Sequence, residues 1–310
     1  MIIDFHSHVL PGIDDGSDDV ATSLAMLEAS RAQGVDVVIA TPHFYAEKEK
    51  MDSYLEKRAH AVSILEKAIH SKGESSETYP ELLVGAEVAF FHGISRTDQI
   101  RPLAVQADDG TADAPLLLVE MPFETWNAHV LSEIHDLVYK KGYQVMIAHL
   151  ERYLKIYGNG PWIQELLELP VIVQVNANSL SKKSLLDGSR QKKLIRLFAD
   201  GQAKLLGSDM HGMNHRPPNL AVGRDVLQQK LGDGFLRDMD EYGSRVLAKA
   251  GIYPGVHAGR TYLPETDGGL SHTGQPVDEG LREVAATMEG DARTGETHTA
   301  DRQNRDRRRG

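Results

Sequence analysis

The chain has 310 residues, 41% of them hydrophobic, enough to bury one large α/β domain or two smaller ones. Its formal net charge of -11 opposes phosphate backbones and anionic membrane surfaces, so no nucleic-acid partner is expected. Cysteine is absent, which removes disulfides, thiolate zinc sites and cysteine nucleophiles together.

The first strand is read in "IIDF" at 2–5, and a helix follows it from an N-cap at Ser17 to a stop at Gly34. "VDVVIA" at 35–40 is the second strand, and Leu55, Ala59, Val62 and Ile69 then recur at helical spacing across 52–71. Further strands are expected at 82–86, 116–120, 144–148, 171–175 and 203–207, separated by helix-like stretches. The segments 73–80 and 105–114 read as polar connections. Asp4, His6 and His8 interrupt any apolar leader, and no run approaches the roughly 20 apolar residues of a membrane span. A cytoplasmic protein with no direct membrane insertion is the expectation. From Glu265 the chain turns polar and ends in "DRQNRDRRRG", so 265–310 is read as a disordered tail.

Seven strands alternating with helices suggest a parallel barrel, in which every strand ends on the face where such folds build their sites. Here the strand ends are chemically alike. The first leads to His6 and His8, the second to His43, the third to Glu87 and the fourth to Glu120. The fifth leads to His149, the sixth to Asn176 and the seventh to Asp209 and His211. One such residue alone is ordinary, whereas a ligand-type side chain at six of seven ends is a constellation. Imidazoles and carboxylates gathered there would be costly to bury bare, and divalent cations remove the cost. With Asp15, the set numbers nine, more than one tetrahedral ion accepts. Two or three ions of manganese, iron or zinc, sharing a carboxylate, fit the ligand types.

Such a centre polarises a phosphoryl group and acidifies a bound water, so phosphoester hydrolysis by metal-bound hydroxide is the expected reaction. Arg152 follows His149 by three residues and Arg216 follows His211 by five, which places two phosphate-binding guanidiniums on the same face. His92 and His129 fall outside the pattern and read as ordinary loop or helix residues.

The motifs "DFHSHVLPGIDDGSDD", "ATPHF", "GAEV", "LLVEMPF", "AHLERY", "VQVNANSL" and "GSDMHGMNHRPP" together resemble the polymerase and histidinol phosphatase (PHP) superfamily. Within it they look like the bacterial capsule and exopolysaccharide branch of manganese-dependent protein tyrosine phosphatases. The resemblance spans Met1 to about residue 255 and implies a distorted seven-stranded, TIM-like α/β barrel, here placed in a domain of residues 1–264. It implies three metal ions held by His6, His8, Asp15, His43, Glu87, Glu120, His149, Asp209 and His211, with Glu120 as the bridge, and phosphate contacts from Arg152 and Arg216. The implied partner is the phosphotyrosyl tail of a membrane-associated tyrosine kinase that controls polysaccharide export, and a homo-oligomer is left open. Leu150 stands where the family has proline, and Asp14 competes with Asp15 for the metal, the motif favouring Asp15. Two other readings keep the same residues: a small-molecule phosphomonoesterase acting on a substrate such as histidinol phosphate, and a non-catalytic phosphopeptide-binding scaffold.

Overall fold

Each β-branched run predicted from the sequence is extended in the computed structural model, which describes residues 1–71, 78–107, 112–124, 126–158, 160–181 and 187–255. These lie within one compact unit, Met1–Leu263. The predicted tail 265–310 lies outside the described residues.

In chain order the strands are β1 (Ile3–Ser7), β2 (Val37–Ala40), β3 (His43–Phe44), β4 (Glu81–Val84) and β5 (Glu87–Ala89). They continue as β6 (Leu116–Glu120), β7 (Gln144–Ile147), β8 (Ile172–Asn176) and β9 (Leu205–Gly207). The helices are α1 (Val20–Ala32), α2 (Met51–Ser71), α3 (Ala128–Tyr139), α4 (Leu150–Tyr157), α5 (Pro161–Glu168), α6 (Asp187–Ala199), α7 (Leu220–Leu231) and α8 (Asp233–Lys249). None among the described residues is long and apolar enough to cross a membrane.

The strands pair in parallel, as a three-stranded sheet β1-β2-β4 and a six-stranded sheet β3-β5-β6-β7-β8-β9. The expected seven strands become nine, because two short strands, β3 and β5, follow the predicted runs 35–40 and 82–86. Between β2 and β3 stands Pro42, which has no N–H to give the ladder, and Thr41 turns to Ser7 through both its N–H (2.8 Å) and its hydroxyl (3.2 Å). Between β4 and β5 stands Gly85, where a Cβ would lie 2.7 Å from Val105 Cγ2, so a larger residue cannot pass. Past β9, Asp209 N–H donates to His6 O (2.8 Å) and His8 N–H to Met210 O (2.9 Å), with a parallel bridge from Ser7 to Met210. The parallel sheet is thus curled, and its first and last strands lie side by side.

Apolar side chains fill the interior. Phe5, Val38, Ile39, Leu117, Val119, Val145, Ile147, Val173 and Val175 are all buried, each contributing about 1.5–3 kcal/mol of hydrophobic stabilisation. The α2 helix lies where its periodicity predicts, but its fully buried stripe is Tyr54, Ala61, Val62 and Leu65; Ala59 is exposed. Tyr54 is what rotates the face, since its ring packs on Phe44 and its hydroxyl donates to Pro42 O. The predicted cap of α1 also shifts. Asp19 caps the helix, accepting from Thr22 N–H, while Ser17 is buried and bonded to Asp19 O and Ser23 Oγ. In the connection 105–114, Val105 and Leu116 exchange two backbone hydrogen bonds as an antiparallel bridge.

Candidate metal centre

At the carboxyl ends of the strands the apolar interior gives way to a polar cluster. His6, His8, Glu87, Glu120, His149, Asp209 and His211 are all buried; His43 is partly buried and Asp15 is exposed. Three groups of potential ligand atoms lie within 4.8 Å of one another: His8, Asp15, His43 and His211; His6, His8 and Glu87; and His43, Glu87 and Glu120. All seven of these residues were named from the sequence, six of them at strand ends and Asp15 from the motif that follows the first strand. His149 and Asp209 bring the set to nine: His149 Nε2 lies 2.8 Å from Glu87 Oε1 and 3.5 Å from Glu120 Oε1. Asp209 Oδ1 is 3.7 Å from His6 Nε2 and 3.5 Å from His8 Nε2.

Glu87 stands at the middle. Its Oε2 lies 3.2 Å from His6 Nε2, 3.3 Å from His8 Nε2 and 3.0 Å from His43 Nδ1. It belongs to two of the ligand groups, whereas Glu120, the expected bridge, belongs to one. The reason is position: Glu87 opens β5 beside His43 on β3, and Glu120 closes β6 one strand further out.

The charges sort accordingly. Burial opposes ionisation of Glu87, but His6 and the hydrogen bond and charge of His149 hold it well below the usual carboxylate range. Burial likewise opposes the charged form of His8, yet the hydrogen bonds of Asp14 and Glu87 raise it to about 10. His149 rises to about 9 against its own burial, through Glu120 and Glu87. His211 falls to about 4, because it is buried beside the His8 charge. Carboxylates held ionised therefore draw positive charge into a buried space.

The donor set fits divalent cations. Nε2 of His6 and Nε2 of His8 face each other at 3.1 Å. Buried atoms without a hydrogen bond include Glu87 Oε2, His43 Nδ1, His149 Nδ1 and His211 Nε2. His43 Nδ1 and Glu87 Oε2 are close but misaligned for a hydrogen bond, an arrangement that a cation between such groups satisfies. Nitrogen and oxygen donors without thiolate suit manganese, iron or zinc.

Both arginines arrive as expected. Arg152 Nη2 lies 2.5 Å and Arg216 Nη1 3.1 Å from Asp209 Oδ2, and both guanidiniums remain partly open to solvent. His149, Asp209 and Arg216 have φ of 33°, 52° and 49°, and among the described residues they are the non-glycine residues at positive φ. Backbone strain is thus concentrated on three residues already singled out for chemistry. Leu150 is buried as the first residue of α4, directly after the turn at His149.

Asp14 has a different place from Asp15. Its Oδ2 is 2.7 Å from His8 Nδ1 and accepts from His43 N–H, and its Oδ1 accepts from Gly16 N–H. Although burial opposes it, the His8 contact lowers Asp14 to about 2. Asp14 therefore orients His8, and Asp15 is the one that faces His43 and His211 (3.5 and 3.6 Å). Sequence reasoning placed Asn176 at the end of its strand without giving it a role and missed Gln174, whose signal was an amide inside an otherwise apolar buried strand. It also missed Tyr45, whose ring stacks on His43 with centroids 5.2 Å apart. His92 and His129 lie outside the ligand groups, their rings stacked on each other 5.3 Å apart.

The chain is similar to known proteins over most of its length. Residues 2–244 match the family described as capsular polysaccharide synthesis, CpsB/CapC. The tyrosine-protein phosphatase CpsB of Streptococcus pneumoniae is 26% identical over 236 residues, covering 74% of this chain and 91% of that protein. The tyrosine-protein phosphatase YwqE of Bacillus subtilis is 26% identical over 232 residues, covering 74% of this chain and 85% of the relative. A solved chain described with the crystal structures of YwqE from Bacillus subtilis and CpsB from Streptococcus pneumoniae, "unique metal-dependent tyrosine phosphatases", superposes with a TM-score of 0.66. It is 24% identical and covers 80% of this chain and 95% of its own, which shows a shared fold. The chain belongs to the CpsB/CapC capsular polysaccharide synthesis family.

Proposed function

We propose that this protein is a metal-dependent protein tyrosine phosphatase whose curled sheet is a distorted seven-stranded barrel. The observation that carries the reading is the convergence of nine ligand-type side chains with Arg152 and Arg216 at one edge, both on Asp209. His6, His8, Asp15, His43, Glu87, Glu120, His149, Asp209 and His211 would hold the metals, three manganese ions in this reading. When bound, the ions supply Lewis-acid charge and a water of lowered pKa.

The chain's own residues do the rest. Arg152 and Arg216 keep N–H groups beyond those spent on Asp209, and these bind non-bridging phosphate oxygens and absorb charge as it develops in the transition state. The water oxygen bonds to phosphorus as the bond to the tyrosyl oxygen breaks, and the phenolate leaves with the proton that water gives up. Asp14, through His8, keeps the floor of the site fixed while this happens. Tyr45 walls one side and limits how a substrate ring enters.

The names of the relatives support a phosphotyrosyl protein as substrate, and we place the reaction in the cytoplasm on the tail of a membrane-associated tyrosine kinase of capsule or exopolysaccharide synthesis. The test compares phosphate release from phosphotyrosyl peptide, matched phosphoseryl peptide and histidinol phosphate, using chelator-stripped protein before and after manganese is added. Restored hydrolysis confined to phosphotyrosine is expected. Faster turnover of histidinol phosphate would replace this reading with a small-molecule phosphatase.

A further inference from the structure

Two buried amides, Gln174 and Asn176, stand on the inward side of β8, and neither is a ligand type in the cluster. An amide inside an apolar strand is costly unless its polar atoms are satisfied. One donor fixes how these two are turned. The backbone N–H of His149 donates to Gln174 Oε1 at 2.7 Å, and a backbone amide cannot act the other way round.

The rest follows from that single direction. Gln174 Oε1 lies 3.2 Å from His6 Nδ1, so Nδ1 carries the proton and His6 Nε2 keeps its lone pair toward the cluster. Gln174 Nε2 then donates to Asn176 Oδ1 at 2.9 Å, which turns Asn176 Nδ2 onto Asp209 Oδ2 at 2.6 Å. Asp209 Oδ2 is also held by Arg152 and Arg216, and Oδ1 is left facing the imidazoles. The crossing is built for close approach: a Cβ on Gly207 would lie 2.5 Å from His6 Cβ and 2.7 Å from Gln174 Nε2. His6 on β1, His149 after β7 and Asp209 after β9 are thus tied together through one strand.

We propose that Gln174 and Asn176 are positioning residues: they select the Nδ1-protonated tautomer of His6 and the Oδ1 oxygen of Asp209 as the atoms offered to metal. The proposal rests on the metal-binding part of the reading above and not on its substrate. Outer partners of this type change metal affinity by about 10–100-fold when removed. Gln174→Met keeps the volume and loses both hydrogen-bonding ends. Gln174→Glu keeps the oxygen that faces His6 and His149 and loses the donor to Asn176.

The test uses the full chain loaded with zinc, which is diamagnetic, and labelled with nitrogen-15 at histidine. Two-bond correlation spectra, with His6 assigned by its loss in His6→Gln, are expected to show His6 protonated at Nδ1 and coordinated through Nε2. Manganese affinity of Gln174→Met is expected to fall about 10–100-fold, and that of Gln174→Glu by less. Coordination of His6 through Nδ1 in the wild type overturns the proposal, as does manganese affinity within about twofold of wild type in both variants. Should Gln174→Met fail to fold by circular dichroism, the wild-type spectrum and Gln174→Glu decide the matter. If the spectrum and affinities are as expected while no phosphotyrosyl substrate is turned over, the amide chain stands and the phosphatase reading falls.

Discussion

Arg152 and Asp209 meet across 57 residues of sequence, Nη2 to Oδ2 at 2.5 Å, so a candidate phosphate-binding group rests directly on a candidate metal ligand. Arg152→Lys cannot reproduce the planar fork that holds Asp209 and still offers N–H groups outward. We predict that Arg152→Lys lowers kcat on a phosphotyrosyl peptide by about 10²-fold or more, the scale for losing one preorganised donor. Metal content, read by plasma mass spectrometry, should stay near wild type; equal loss of metal and rate would reassign Arg152 to metal retention.

Glu87 places two oxygens against four imidazoles, those of His6, His8, His43 and His149. Glu87→Gln removes the charge and keeps the shape. It should lose at least one ion per chain after dialysis, together with the chelator-sensitive, manganese-restored activity. A variant with full metal content would show that the centre does not depend on this carboxylate.

Asp14 and Asp15 are neighbours with different expected phenotypes. Asp14→Asn leaves the ligand set complete but weakens the hold on His8, so manganese affinity should fall about 10–100-fold and excess manganese should restore the rate. Asp15→Asn removes a candidate ligand from the group it forms with His8, His43 and His211, and added manganese should restore less of its rate. Titrating each variant with manganese at saturating substrate separates the two. Identical curves would collapse the distinction.

Outside the ligand groups, Glu133 closes the turn at Gly93–Ser95. Its Oε2 accepts from Ser95 N–H (2.9 Å) and Ser95 hydroxyl (2.5 Å), and its Oε1 accepts from Gly93 N–H (3.2 Å). Burial pushes its pKa up, but these hydrogen bonds, with Arg96, win and lower it. A depressed folded value means stability that is full above the unfolded value of about 4.5 and lost as pH falls through the folded value. Glu133→Gln should therefore cost about 1–3 kcal/mol at neutral pH, and the gap from wild type should narrow below the unfolded value. Urea unfolding in chelator at pH 7 and pH 4 measures it; a gap that widens in acid would reverse the sign.

Much of the centre was legible before any coordinates, because a parallel sheet delivers all its strand ends to one face. His6, His8, His43, Glu87, Glu120, His149, Asp209 and His211 could each be named from an apolar run that stopped at a ligand type. What misled was local. Ser17 is as good a cap as Asp19 by residue type, and only the fold shows that the Ser17 hydroxyl is buried and bonded elsewhere. Ala59 fits the helical repeat of α2, yet Tyr54 decides which face turns inward.

By itself, then, the sequence determined which residue types stand at each strand end, since strand periodicity and side-chain chemistry are properties of short stretches. Tertiary structure decided the contacts between stretches. It added the short strands β3 and β5 past Pro42 and Gly85, put Glu87 rather than Glu120 at the middle of the cluster, and gave Asp14 to His8. It also strung Gln174 and Asn176 between His6 and Asp209, separated by about two hundred positions in the chain. Those outcomes depend on distances across the sheet and on which donor has no alternative acceptor, quantities that exist only once the chain is folded.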